Sequence, residues 1–184
     1  MVYIVFGTPG AGKSSIMKKF VEMHPNAHVV NFGTLMYEIA KHQQGISSRD
    51  ELRNLPRSRF RELQNMAANE ILKLGNDIII DSHASIKTVD GYHPGFPFYL
   101  LSKLNIDAFI YIRANPEEIL ERRKRDTTRK RDVETLDDVQ FHDMINLAMV
   151  CSYSSYANAP IKFITNREGK LDEAVDEFKK CVRL

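Results

Sequence analysis

Gly7-Thr8-Pro9-Gly10-Ala11-Gly12-Lys13-Ser14 decides the fold of this chain. The octapeptide fits the pattern G-x-x-x-x-G-K-[ST] at every fixed position. It follows the apolar run 2–6 directly and precedes a helical pattern that starts near Lys13. Glycines let such a loop curl so that its backbone N–H groups point at a phosphate chain, and the following helix adds its positive N-terminal end. The pattern therefore predicts a P-loop that binds the phosphates of a nucleoside triphosphate, formed by Gly7, Thr8, Pro9, Gly10, Ala11, Gly12, Lys13 and Ser14.

The last two residues of the motif carry its most specific chemistry. Lys13 is expected to reach the β- and γ-phosphates, and the Ser14 hydroxyl is expected to ligate Mg²⁺. Asp81 closes the apolar run 77–81, and a carboxylate at that strand end can hold Mg²⁺ or its water shell beside Ser14. The alternative role for Asp81 is to cap the next segment, but the strand aims Asp81 at the phosphate site, which favours the metal role.

The composition is that of one soluble globular domain. The 184 residues suffice for a single core, and 43% of them are hydrophobic. A net charge of +2 argues against nucleic acid as the main partner, and no apolar run approaches the length of a membrane span. Cys151 and Cys181 form no C-x-x-C pattern, which indicates inert thiols in a reducing compartment. Because the start lacks a signal-peptide pattern, we expect a cytoplasmic protein.

Apolar runs alternate with helical patterns along the chain, which is typical of a parallel sheet with crossover helices. We therefore expect an α/β fold of the P-loop NTPase type, a three-layer sandwich with a five-stranded parallel sheet and helices on both faces. The expected strands are 2–6, 28–32, 77–81, 107–112 and 161–165. The expected helices are 13–23, 33–44, 57–74, 115–125, 134–157 and 170–182. The stretches 45–56, 82–97 and 126–133 are expected to be irregular.

Basic residues cluster in two places, 49–61 and 122–131. The first group holds Arg49, Arg53, Arg57, Arg59 and Arg61, and the second holds Arg122, Arg123, Lys124, Arg125, Arg129, Lys130 and Arg131. Arginine suits bidentate phosphate binding and stacking on a purine, so the two groups suggest two phosphorylated ligands or one long phosphate chain. A solvated helix face is the alternative for any single arginine. Arg129 and Arg131 lie where a small lid would supply charge to a transferring phosphoryl group.

No carboxylate or histidine stands out as a base for a hydroxyl nucleophile. A phosphate acceptor is already ionised and needs no base, so catalysis would reduce to positioning and charge neutralisation. His83 is the one candidate for a proton-handling or orienting role, and a structural role fits it equally well. The motifs of a GTPase are missing, because 81–84 lacks the glycine of D-x-x-G and 166–169 is not Asn-Lys-x-Asp.

Five blocks beyond the octapeptide resemble the archaeal-type adenylate kinases. They are Asn31-Phe32-Gly33-Thr34, Arg49-Asp50-Glu51-Leu52-Arg53-Asn54-Leu55, Asp81-Ser82-His83-Ala84-Ser85-Ile86-Lys87-Thr88, Gly91-Tyr92-His93-Pro94-Gly95-Phe96-Pro97 and Arg125-Asp126-Thr127-Thr128-Arg129-Lys130-Arg131-Asp132. The resemblance runs over essentially the whole chain, and these blocks are far more specific than the P-loop itself.

The resemblance implies the reaction ATP + AMP ⇌ 2 ADP with Mg²⁺. It implies that Arg53 grips the AMP phosphate and that the turn Asn31–Thr34, which includes Thr34, and the region of Lys87 line the AMP pocket. It places Arg122 near the ATP adenine. Arg129 and Arg131 would close over the transferring phosphoryl group, which makes Lys13, Arg53, Arg129 and Arg131 the expected catalytic residues.

The same resemblance implies a single nucleoside monophosphate kinase domain over 1–184, with an acceptor-binding insert at about 31–75, a short zinc-free lid at about 126–133, and a homotrimer. Two alternatives remain open. One is a kinase for another acceptor, such as UMP, GMP or dephospho-coenzyme A. The other is a nucleotide-gated RNA-binding or assembly factor, whose only support is the basic segment 122–131 and which the small net charge disfavours.

Overall fold

The computed structural model describes residues 1–44, 46–88, 90–126 and 134–183. Arg129 and Arg131, and most of the expected lid, lie outside the described residues. Arg53 lies in a described helix, but its side chain is not among the described ones.

Seven strands and seven α-helices form in the described ranges, together with one 3-10 helix at Arg49–Asn54. The strands are β1 (Val2–Gly7), β2 (His28–Asn31), β3 (Ile78–Asp81), β4 (Ser85–Thr88), β5 (Gly91–Pro94), β6 (Ala108–Arg113) and β7 (Ile161–Thr165). The helices are α1 (Lys13–Met23), α2 (Phe32–Gln44), α3 (Arg57–Lys73), α4 (Phe98–Leu101), α5 (Pro116–Arg125), α6 (Leu136–Ala157) and α7 (Leu171–Cys181).

Five of the strands form one parallel sheet in the order β2-β3-β1-β6-β7. Successive residues of β1 point to opposite faces, as the two-residue period of a strand requires. Ile4 and Phe6 pack with α2, α3, α4 and α6 on one face, whereas Tyr3 and Val5 pack with α1, α5 and α7 on the other. The expected three-layer sandwich with helices on both faces of a five-stranded parallel sheet is confirmed.

The strand boundaries differ from expectation by single residues, each for a local reason. Asp77 does not begin β3, because its φ of 65° is left-handed and breaks the extended run. Asp107 precedes β6, and its carboxylate accepts a hydrogen bond from the Val2 amide at 2.7 Å. Phe32 was expected to end β2 but begins α2, so strand and helix meet without a loop.

The stretches expected to be irregular contain short regular elements. The antiparallel pair β4–β5 lies within 82–97, and the 3-10 helix lies within 45–56. Both strands of the pair have only four residues, and each mixes polar with apolar side chains. Such segments give no apolar run, which is why the sequence pattern did not predict them.

Helix α6 is the longest described helix and begins close to the expected residue 134. Thr135 and Asp138 form a capping box: the Thr135 hydroxyl accepts from the Asp138 amide at 3.2 Å, and the Asp138 carboxylate accepts from the Thr135 amide at 2.9 Å. No described helix is long and apolar enough to cross a membrane.

Candidate active site

The octapeptide connects β1 to α1 at the carboxyl edge of the sheet. Gly10 and Gly12 have φ values of 93° and 89°, in the region that favours glycine. Gly12 stands at the N-cap of α1 without a side-chain cap, and the first turn of that helix carries no acidic residue. The first amides of α1 are therefore free of side-chain competitors and suit an anion.

The loop is packed tightly against its neighbours. A Cβ on Gly7 would lie 2.8 Å from the Ile112 carbonyl oxygen of β6, and a Cβ on Gly12 would overlap the side-chain amide of Asn166. The same Asn166 amide donates to the Ala11 carbonyl at 2.8 Å. The turn after β7 thus holds the loop from one side.

Lys13, at the end of the loop, and Asp81, at the end of β3, form a buried ion pair. This pair was not predicted, because the sequence pattern assigned Lys13 to the phosphates and Asp81 to Mg²⁺. Their side chains are 9% and 8% exposed, and Lys13 Nζ donates to Asp81 Oδ1. Asp81 Oδ2 accepts from Asn31 Nδ2 at 2.6 Å. The roles expected for Lys13 in phosphate binding and for Asp81 in the metal site stay predictions. No pattern in the sequence indicated Asn31 as a partner of the Asp81 carboxylate.

The donor groups at this site fit Mg²⁺. Mg²⁺ is usually bound through one or two carboxylates together with substrate phosphates and water, and it rarely uses a cage made only of protein groups. Ser14 is exposed at the first turn of α1, and Asp81 supplies a carboxylate at the same edge of the sheet. The described residues contain no group of three or more His, Cys, Asp or Glu side chains that would bind a metal without the nucleotide.

A buried hydrogen-bond network joins the second residue of the P-loop to helix α6. Thr8 is 1% exposed, and its hydroxyl donates to Asp143 Oδ1 at 2.6 Å. The Tyr111 hydroxyl donates to the same oxygen at 2.9 Å, and Arg113 donates to Asp143 Oδ2 at 3.4 Å. Burial and the Asp143 carboxylate raise the pKa of Tyr111 above its ordinary value, so its hydroxyl stays a donor.

One helical turn further along, Asn146 extends this network to the β4–β5 pair. Its Oδ1 accepts from the amide and the hydroxyl of Ser85, at 3.1 and 2.6 Å. Asp143 and Asn146 are three residues apart and therefore lie on the same face of α6. Sequence reasoning missed both residues. The only signal was a pair of polar side chains on the buried side of a largely apolar helix.

Arg122 and Arg123 of α5 contact the P-loop from the other side. Arg123 is 8% exposed, donates to the Pro9 carbonyl through Nε and Nη2 at 2.8 and 2.6 Å, and pairs with Glu134. Arg122 donates to the Ala11 and Asn166 carbonyls at 3.3 and 3.2 Å. The expectation that Arg122 lies near the adenine stays a prediction, but the residue does stand beside the loop.

The described basic residues of 122–125 are all paired with carboxylates. Arg122 pairs with Glu118 and Glu168, Arg123 with Glu134, Lys124 with Glu121, and Arg125 with Glu168. Arg122 and Arg125 lower the pKa of Glu168, and Lys124 lowers that of Glu121. Every basic residue of this stretch thus belongs to an internal ion pair, which weakens the case for a free nucleic-acid surface.

The expected acceptor residues lie on α2, on β4 and on the 3-10 helix. Thr34 is exposed in the first turn of α2, and Lys87 is exposed on β4, which follows β3 closely in the chain. Arg53 lies on the 3-10 helix between α2 and α3. The roles of these three residues in binding the acceptor stay predictions.

Two histidines adjoin the site. His83 is half-buried just after β3, and its orienting role stays a prediction. His142 on α6 is 6% exposed and packs against the Tyr92 ring of β5 with centroids 5.1 Å apart. Burial lowers the pKa of His142 to about 4, and the positive charge of the nearby Arg123 is the second cause. The His142 side chain is therefore neutral near pH 7.

A P-loop at the carboxyl edge of a parallel sheet, with a buried lysine–aspartate pair and flanking arginines, defines a P-loop nucleotide-phosphate-binding protein. The AAA domain family model matches residues 6–140. Among solved structures, shikimate kinase from Bacteroides thetaiotaomicron is similar, with a TM-score of 0.63 and 12% identity over 100% of this chain and 99% of that one. At that identity, the likeness concerns the fold alone.

Curated relatives match nearly the full length of the chain. Adenylate kinase of Thermoplasma acidophilum is 40% identical over 179 residues, which cover 97% of both chains. Adenylate kinase of Pyrococcus horikoshii is 42% identical over 187 residues, 100% of this chain and 95% of its own. Adenylate kinase of Methanocaldococcus jannaschii is 37% identical over 188 residues, 99% of this chain and 98% of its own. The chain belongs to the adenylate kinase family in its archaeal form, as the resemblance predicted.

Proposed function

We propose that this protein catalyses reversible phosphoryl transfer from MgATP to AMP, which yields two molecules of ADP. An oxygen of the AMP phosphate forms a bond to the γ-phosphorus of ATP, and the bond from that phosphorus to the β–γ bridging oxygen breaks. Family membership gives the reaction. The single structural observation that carries it is the Lys13–Asp81 pair at the open N-terminus of α1, where the triphosphate is expected.

The chain's own residues act by binding and neutralising charge. The backbone N–H groups of residues 12–14 and the Lys13 ammonium hold the β- and γ-phosphates, and these contacts strengthen as negative charge develops during transfer. No general base is required, because the AMP phosphate is already ionised near pH 7. Arg53 would hold the acceptor phosphate, and Arg129 and Arg131 would neutralise the transferring group.

Ser14 and Asp81 would hold Mg²⁺ directly or through its water shell. When bound, the ion supplies charge neutralisation of the β- and γ-phosphate oxygens. Asp81 is engaged by Lys13 and Asn31, which favours an indirect contact through water.

The finer organisation is also part of the proposal. Residues about 31–75 act as the acceptor-binding insert, residues about 126–133 act as the lid, and the protein works in the cytoplasm as a homotrimer. Helix α6 supports self-association, because Phe141 and Met144 are 48% and 56% exposed one helical turn apart. Light scattering coupled to gel filtration measures the mass, and a monomer at micromolar concentration would contradict the trimer.

A coupled assay with MgATP and a panel of acceptors tests the proposed reaction. We expect ADP to form with AMP at a kcat/KM at least about tenfold above that with UMP, GMP or dephospho-coenzyme A, since the family acts on AMP. Preference for another monophosphate would move the function to a related kinase. Absence of ADP with every acceptor would overturn the proposal.

The RNA-binding alternative predicts that the affinity falls as salt is added. The slope of that fall is set by the number of RNA phosphates that lysine and arginine side chains neutralise. Arg122, Arg123, Lys124 and Arg125 are engaged with carboxylates of the chain itself, so few described cations of this segment remain for phosphates. We therefore expect weak RNA binding. Measuring the affinity for a single-stranded RNA at two salt concentrations checks this expectation.

A further inference from the structure

Asn31 stands between the two halves of the proposed site. It is the last residue of β2 and lies directly beside Asp81 of β3 in the parallel register. Phe32 begins α2 without a loop, so the same residue also precedes the first turn of that helix. One side chain is thereby placed against the donor-site carboxylate and against the helix that carries Thr34.

The two ends of the Asn31 amide make different contacts. Its Nδ2 donates to Asp81 Oδ2 at 2.6 Å. Its Oδ1 accepts from the Thr34 amide at 2.8 Å and from the Thr34 hydroxyl at 2.9 Å, which is the pattern of a helix N-cap. Asparagine supplies a donor and an acceptor together, whereas an ionised aspartate at the same place would supply acceptors only.

The state of Asp81 makes the donor end important. The Asp81 side chain is 8% exposed, and a carboxylate at such a depth needs hydrogen bonds on both oxygens. Lys13 engages Oδ1 and Asn31 engages Oδ2. The contact between Asn31 and Oδ2 does not involve Lys13, so it can hold the carboxylate while Lys13 binds phosphate.

We propose that Asn31 is a positioning residue for phosphoryl transfer, which orients Asp81 through Nδ2 and couples that orientation to the N-terminus of α2 through Oδ1. The inference rests on the proposed kinase function, but the contact itself can be tested without activity. Asn31 acts through Asp81 and Thr34 and is not assigned a contact with either substrate.

The substitution Asn31→Asp separates the two contacts, because aspartate still caps α2 but meets Asp81 with a second carboxylate. The exchange Asn31→Asp with Asp81→Asn restores a donor–acceptor pair in the reverse direction. Asn115→Asp is the matched control, since Asn115 caps α5 by accepting from the Glu117 amide at 2.9 Å and is exposed. Each variant is measured for melting temperature without nucleotide or metal, and for kcat and KM.

We expect Asn31→Asp to lower the melting temperature by about 2–6 °C and kcat by at least about tenfold, with less than about a threefold change in the KM for AMP. The reversed pair should be at least about 3 °C more stable than the sum of the two single losses predicts. Asn115→Asp should match the original protein in both measurements.

Additive losses in the reversed pair, or an unchanged kcat in Asn31→Asp, would overturn the inference. If Asn31→Asp does not fold, a double-mutant cycle of Asn31→Ala and Asp81→Ala measures the coupling of the two residues without introducing a second carboxylate. If the original protein makes no ADP, the proposed function fails, while the melting temperatures still decide whether Asn31 and Asp81 are coupled.

Discussion

The Thr8 hydroxyl, on a residue that is 1% exposed, donates to Asp143 at 2.6 Å across 135 residues of sequence. The contact fixes the second residue of the P-loop to the middle of α6. Because α6 begins just after the expected lid, the loop that holds the donor phosphates and the helix that follows the lid form one hydrogen-bonded unit.

Asp143→Ala should therefore destabilise the protein and weaken ATP binding. The buried hydroxyls of Thr8 and Tyr111 would lose their shared acceptor. Because these hydroxyls lie 3.0 Å apart, one can donate to the other, and the one orphaned donor costs about 1–3 kcal/mol. Chemical denaturation measures the free energy of unfolding, and the KM for ATP shows whether the P-loop still binds ATP normally. The exposed Asp176→Ala on α7 is the control, and an equal effect of the two substitutions would contradict this role for Asp143.

Lys13→Ala should reduce kcat by at least about 100-fold, because the ammonium stabilises charge that develops on the transferring phosphate. The substitution also leaves the buried Asp81 carboxylate without its cation. Steady-state kinetics with saturating AMP gives kcat. Lys18→Ala, on the exposed side of the same helix, should retain full activity, and a loss below about tenfold for Lys13→Ala would remove Lys13 from the catalytic residues.

Arg53→Ala should raise the KM for AMP by about 10- to 100-fold and leave the KM for ATP nearly unchanged, since the loss of one charge-assisted phosphate contact costs about 1.5–3 kcal/mol. Varying each substrate separately measures the two constants. Arg57→Ala, in the exposed first turn of α3, is the matched control. Equal effects on both substrates would show that Arg53 serves the fold or the donor site instead.

Gly12→Ala should abolish nucleotide binding or lower stability steeply, because a Cβ at Gly12 would overlap the Asn166 amide. Gly75→Ala separates this crowding from backbone strain. Gly75 has a φ of 77°, close to the 89° of Gly12, but a Cβ there has no neighbour within 4 Å. Melting temperatures and ATP titrations of both variants are compared. Similar losses of stability and ATP affinity in the two variants would mean that the positive φ alone accounts for the need for glycine at position 12.

Acid should destabilise the protein partly through His142. Its pKa of about 4 in the folded state lies below the ordinary value of 6.5, so the unfolded chain binds more protons between those values. The contribution of neutral His142 is fully present above about pH 6.5 and is lost as the pH falls toward 4, by on the order of 1–2 kcal/mol at pH 5. The stability difference between pH 7.5 and pH 5 should shrink in His142→Phe.

Exposed His28 provides the control for that measurement. His28→Gln should leave the pH dependence of unfolding as it is in the original protein. A similar acid sensitivity in His142→Phe would show that other groups cause the loss, with the neighbouring Glu134 and Asp143 the first to be tested.

The parts of the molecule that local sequence specifies were predictable. The sheet follows from apolar runs of β-branched residues, and the P-loop follows from glycines, a lysine and a hydroxyl at fixed spacing. The placement of Asp81 beside the phosphate loop also followed, because parallel strands bring their carboxyl ends to one edge of the sheet. The direct ion pair of Asp81 with Lys13 was not predicted.

The supporting contacts were not predictable, because they join residues far apart in sequence through single polar atoms. In the sequence, Arg123 is one of several basic residues on a helix. In the structure, its guanidinium donates to the Pro9 carbonyl and pairs with Glu134. The β4–β5 pair was not predictable, since four-residue strands of mixed polarity are too short to show a periodic pattern of apolar residues. Asn31 was predicted only as part of a turn that lines the AMP pocket, and its contact with Asp81 was not predicted.

The position of Arg123 has a consequence for how this family can vary. Arg123 and Glu134 pair across the two points where the chain enters and leaves residues 127–133, and Arg123 is itself tied to Pro9. With both ends closed by the pair, each doubling of the intervening length costs only about 0.6 kcal/mol of chain entropy. Insertions or transplanted segments between 127 and 133 are therefore expected to leave the sheet, the P-loop and α6 in their places.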